Sequence, residues 1–169
     1  MNKKIMAFGI MGIFLLAGVS ALIITSNQLS EWSDQDILNA MVATFAFEKE
    51  GFDMDDQYFY QYYTVATLEP TIGEQGNYTV KTISLKGVVR FDDYFKCLEE
   101  NSETFCVNAL ITGQGFSYTE GNETYTVQSI NQQVISQGLR EFEKVKSFRD
   151  ESIESVMALS NNTIGGLSF

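Results

Sequence analysis

Ile5 to Thr25 reads IMAFGIMGIFLLAGVSALIIT, and no charged side chain stands between Lys4 and Glu31. As a helix rising about 1.5 Å per residue, such a run spans about 31 Å, close to the ~30 Å of a bilayer's hydrocarbon. Residues 5 to 25 are therefore expected to meet the lipid bilayer. Lys3 and Lys4 precede the run, and Glu31, Asp34 and Asp36 follow it. The positive-inside bias then keeps the N-terminus cytoplasmic and sends the body out of the cytoplasm as a single-pass ectodomain. Trp32 falls where an interfacial aromatic anchor would sit. Val19-Ser20-Ala21 also offers the small residues that a signal peptidase reads, so cleavage after Ala21 would give a secreted body instead.

This reading divides the chain into an anchor or signal (1–30), a body (31–160) and a short tail (161–169). The body holds 9 basic and 22 acidic residues, a formal charge of −13. Phosphate backbones and anionic headgroups would repel it, and no nucleic-acid partner is expected. Its hydrophobic content, 44% of the whole chain, is enough for one packed core without a cofactor.

Within the body, Ser33 reads as a helix N-cap, with Ile37, Leu38, Met41, Val42 and Phe45 at helical spacing and Gly51 as a stop. Residues 57–68, QYFYQYYTVATL, read as a strand that ends at Glu69-Pro70. A second strand runs from Tyr78 to Phe91, with Gly87 placed for a bulge. Asp92 to Glu100 reads as a short helix capped by its acids, and Thr104 to Thr112 alternates like a strand. Phe116–Thr119 and Thr124–Ser129 flank a hairpin turn, Glu120-Gly121-Asn122-Glu123. From Gln132 to Ser160 the spacing is helical again. The expected class is α+β: a transmembrane helix, then an antiparallel sheet of four to five strands flanked by an amphipathic helix and a long C-terminal helix.

Cys97 and Cys106, the only cysteines, are separated by eight residues and are expected to pair, closing a loop worth roughly 2.5 kcal/mol. Asn77, Asn122 and Asn161 each begin an Asn-X-Thr sequon and are glycosylation candidates in an exported protein.

With no histidine in the chain, Ser-His-Asp and Cys-His catalysis are excluded. No phosphate-binding glycine motif occurs. Asp53, Asp55 and Asp56 could offer oxygens to a hard cation, although they lack the spacing of an EF-hand loop. No catalytic, cofactor or metal residue is assigned. The most unusual local feature is Tyr58-Phe59-Tyr60-Gln61-Tyr62-Tyr63, whose alternate side chains must leave a sheet on opposite sides. Tyr58, Tyr60, Tyr62 and Tyr63 are either packed, with their outer side hidden under a helix, or a candidate contact surface for protein or sugar, since tyrosines are rigid amphipathic groups favoured in interfaces.

The order of an apolar helix, an amphipathic helix and an antiparallel sheet looks like the general plan of type IV pilins. That likeness implies a filament-forming surface protein. The sequence departs from it in having neither a peptidase site before the apolar run nor an early glutamate within it. The reading favoured by the residues themselves is a non-enzymatic extracytoplasmic subunit or surface protein that contacts another protein in the membrane or at the cell surface. A carboxylate-dependent hydrolase or calcium-binding module is the rival.

Overall fold

The structure, a computed structural model, describes residues 22–42 and 53–165. The chain is mixed α and β. Strand β1 (Ile23–Thr25) leads into a one-turn helix α1 (Ser26–Leu29) and then α2 (Asp34–Val42). Strands β2 (Asp53–Met54), β3 (Tyr58–Pro70) and β4 (Asn77–Arg90) follow, then helix α3 (Phe91–Glu100), helix α4 (Glu103–Val107) and a π-helical turn (Asn108–Thr112). Strands β5 (Phe116–Glu120) and β6 (Glu123–Val127) precede the long helix α5 (Ile130–Gly165). Four strands form one sheet in the order β1-β4-β3-β2, and β5 and β6 form a separate hairpin.

Strand β1 is the main departure from the sequence reading. Ile23, Ile24 and Thr25 pair antiparallel with Thr79, Tyr78 and Asn77, and the N–H of Val80 donates to the carbonyl of Leu22 at 2.9 Å. Ile24 is 4% exposed. Leu22 to Thr25 thus belong to the sheet and do not extend a membrane helix. Among the described residues, no helix is long and apolar enough to cross a membrane. The rest of the expected span, residues 5–21, lies outside them.

The second correction falls at Thr104–Thr112, which is helical. The period-two alternation there is real, but burial follows helical spacing instead. Cys106 and Leu110, four apart, are 0% and 1% exposed, whereas Phe105 and Val107 face outward. Ser102 caps α4 by accepting the N–H of Phe105, and the backbone closes with a wide i to i+5 bond from Gly113 N–H to the Asn108 carbonyl. Several boundaries also move by a few residues. β3 runs through Pro70, and α5 continues five residues past Ser160 into the expected tail. The helix expected from Ser33 is present as α2, but Phe45 and Gly51 lie outside the described residues. Trp32, the expected interfacial anchor, packs against the core of the first unit described below.

The residues sort into two compact units. The first takes 22–42, Val65–Ile83 and 141–165. Its core joins Ile24, Leu29, Ile37, Met41, Leu68, Tyr78 and Val145, with Trp32 and Phe148 packed on it. Ser33 and Asp36 begin α2 with reciprocal bonds: the Ser33 hydroxyl accepts the Asp36 N–H, and the Asp36 carboxylate accepts the Ser33 N–H. The Ser33 hydroxyl also donates to that carboxylate at 2.6 Å, and this bond, with the one from the Ser33 N–H, holds the Asp36 carboxyl below its ordinary pKa.

The second unit takes 53–64 and Ser84–Arg140. Its core is Val89, Cys97, Cys106, Leu110, Phe116 and Ile130, flanked by Phe59, Tyr94 and Tyr118. The expected disulfide is present between Cys97 and Cys106, with Cα atoms 5.9 Å apart, and ties α3 to α4. Gly87 has a reason other than a bulge. A Cβ there would stand 2.4 Å from the Ile130 carbonyl oxygen, so the missing side chain lets the start of α5 lie against β4.

Candidate functional site

In β3 the alternation of side chains separates the aromatic run into two sets. Phe59 turns to the core of the second unit, where its ring centroid lies 4.3 Å from Phe91 and 5.4 Å from Tyr94. Tyr60 and Tyr62 leave on the other side and meet each other edge-on, centroids 5.3 Å apart. Tyr62 is 40% exposed and Tyr60 is half-buried. Tyr58 and Tyr63 are also half-buried.

Lys86 of β4 completes the cluster. Its ammonium nitrogen lies 4.3 Å from the ring centre of Tyr60 and 5.3 Å from that of Tyr62. A cation over the electron-rich faces of two rings gains about 0.5–1 kcal/mol per contact at an exposed site. Among the described residues Lys86 makes no ion pair with a carboxylate, which is notable in a chain of net charge −11.

The backbone under Lys86 is fixed from the helix. Gln137 of α5 accepts the Lys86 N–H at 3.2 Å and donates to the Lys86 carbonyl at 2.7 Å. One turn earlier, Gln133 treats Val88 the same way, at 3.2 and 2.7 Å. Each side-chain amide reproduces the pair of bonds that a neighbouring strand would make, so the edge of β4 is closed without a strand. Sequence reasoning missed Lys86 and both glutamines. The alternation placed Lys86 on the face opposite Leu85, but joining it to Tyr60 and Tyr62 requires the strand register. The i, i+4 glutamines look like any polar helix face.

Of the acidic candidates between β2 and β3, Asp55 is occupied locally. Asp55 accepts the N–H groups of Gln57 and Tyr58, both at 2.9 Å, and so shapes the turn between β2 and β3. Asp53 lies in β2 opposite Tyr60, and Asp56 is exposed in the turn. Asp92 pairs with Arg90 at 2.6 Å. Burial pushes the Asp93 carboxyl above its ordinary range against the pull of Arg90. Among the described residues, no three His, Cys, Asp or Glu side chains converge as metal ligands would. Among the described residues, a cavity between Ile24, Trp32, Ile37, Met41, Leu68 and Val145 has about 20 Å³ of free space. That is room for a water molecule, far below the roughly 300 Å³ of a small-molecule site.

The sequons lie on three different elements. Asn77 is half-buried at the start of β4, opposite Thr25, and its amide donates to Glu74 at 2.9 Å. Asn122 is exposed at the tip of the β5–β6 turn beside Gly121, whose φ is +64°. Asn161 is exposed near the end of α5.

No protein-family model, curated protein or solved structure matches this chain.

Proposed function

We propose that this chain is a non-enzymatic protein working outside the cytoplasm, whose Tyr60, Tyr62 and Lys86 face contacts another protein. The observation that carries the reading is the cation held over two outward rings. Tyrosines and a cation that meets no carboxylate among the described residues, on a backbone braced from both sides, form a pre-ordered patch, which loses little side-chain entropy on binding. The complement it fits is a protein surface presenting a carboxylate beside apolar groups. Export is supported by the lysines before the apolar segment, the acidic body after it and the buried disulfide, a bond kept in oxidising compartments.

The test compares native complexes of the wild type with those of a Tyr60→Ser/Tyr62→Ser double variant and a Lys86→Glu variant. Cross-linking on intact cells followed by gentle detergent extraction should recover a defined protein with the wild type, and at least tenfold less of it with either variant. Equal recovery from all three, with unchanged thermal unfolding, would remove this face from the function.

A further inference from the structure

We propose that the bond between Ala21 and Leu22 is a processing site, and that the working protein begins at Leu22 with residues 1–21 removed as a leader. This inference rests on the export part of the reading above and deepens it.

The argument begins with the residues that β1 claims. Leu22 accepts a backbone hydrogen bond from Val80, Ile23 to Thr25 are paired with β4, and Ile24 is buried among Leu29, Ile37 and Tyr78. None of these four can serve both the sheet and the hydrocarbon of a bilayer. The apolar run left for a membrane is Ile5 to Ala21, 17 residues, or about 25 Å as a helix. That is the lower limit for a span, which usually takes about 20 residues.

The same subtraction makes the segment resemble a secretory signal closely. Lys3 and Lys4 form the positive start, and Ile5 to Leu16 supplies an uncharged, mainly apolar stretch of 12 residues, inside the usual range of about 7–15. Ala17-Gly18-Val19-Ser20-Ala21 is then a stretch of small residues ending in the Val-Ser-Ala pattern that the peptidase accepts. What made the run look too long for a signal was Leu22-Ile23-Ile24-Thr25, and the fold needs those residues elsewhere. A retained anchor would also have to pass from helix to paired strand at Leu22 with no linker, pressing an acidic body against the headgroups.

The experiment produces the full chain, tagged at its C-terminus, in a cell with an intact secretory pathway. It reads the N-terminal sequence, the intact mass, the alkylation of Cys97 and Cys106, and partition after alkaline carbonate extraction. The expected product starts at Leu22, has both cysteines blocked and leaves the membrane pellet. An Ala21→Asp variant, with a charged group where a small one is read, should keep residues 1–21 and stay in the pellet. A wild type that keeps residues 1–21 with its disulfide formed would overturn the processing site and leave export standing. Retention of residues 1–21 with free thiols would overturn both. Cleavage at another bond, or equal cleavage of the Ala21→Asp chain, would overturn the assignment to Ala21.

Discussion

Arg149 of α5 donates from its guanidinium to the Asp34 carboxylate at 2.5 Å, fastening the C-terminal helix to the first residue of α2 across 115 positions of sequence. The same guanidinium donates to the Trp32 carbonyl at 3.3 Å, so the cation also satisfies backbone just before the helix start. Arg149 is well covered, with 11% of its side chain exposed, while Asp34 is open to solvent. The bond from Arg149, with help from the Lys146 charge, holds the Asp34 carboxyl below its ordinary pKa.

A carboxyl with a lowered folded-state pKa stabilises the fold above its unfolded value, about 3.9, and loses that contribution as pH falls through the folded value. Asp34→Asn should therefore unfold at a lower temperature than wild type at pH 7. The gap should close progressively below pH 4. Thermal melts from pH 7 down to pH 2 measure it, and coincident curves at pH 7 would show that the contact adds nothing.

Breaking the Cys97–Cys106 bond should cost roughly 2–3 kcal/mol, the scale expected for a short closed loop. Denaturant titration of a Cys97→Ser/Cys106→Ser variant, or of wild type under reductant, checks this. Loss of helix signal from α3 and α4 should accompany it, because both sulfurs are buried in the core those helices share.

Gln133→Leu/Gln137→Leu should leave the N–H and carbonyl groups of Lys86 and Val88 without their amide partners, at a cost of about 2 kcal/mol. Hydrogen exchange is the sharper measurement. The Lys86 and Val88 amides should exchange at least tenfold faster in the variant, while amides of α2 stay unchanged.

Gly87→Ala should destabilise by about 2–3 kcal/mol, since the added Cβ would stand 2.4 Å from the Ile130 carbonyl oxygen and 2.7 Å from that residue's Cγ2. Gly73→Ala is the control for a different mechanism. There the space is open and only the positive φ of +82° opposes the change, so the cost should be nearer 1 kcal/mol.

How far the sequence reveals this fold depends on whether local pattern or distant partners decide each element. Tyr58–Pro70, Asn77–Arg90, the Gly121-Asn122 turn and α5 follow from periodicity and turn chemistry, and they lie within a few residues of expectation. The Cys97–Cys106 pair follows from being the only option. Ile23–Thr25 could not be recognised as a strand, because its apolarity is continuous with the run before it and its partner lies more than fifty residues away. Thr104–Thr112 carries both periods, and only the burial of Cys106 with Leu110 decides for the helix. In the candidate site, Tyr60 and Tyr62 were visible as a pair on one face. The ammonium that joins them comes from a strand whose register no local pattern specifies.

Strand β1 also sets an order of events during synthesis. Ile23 to Thr25 leave the ribosome early, but the residues they pair with, Asn77 to Thr79, are made more than fifty positions later. Until then, the chain just behind the apolar segment has no sheet to join. On the export reading proposed above, a translocation channel would take extended chain, and the late arrival of its partner would leave the front of this protein free to thread.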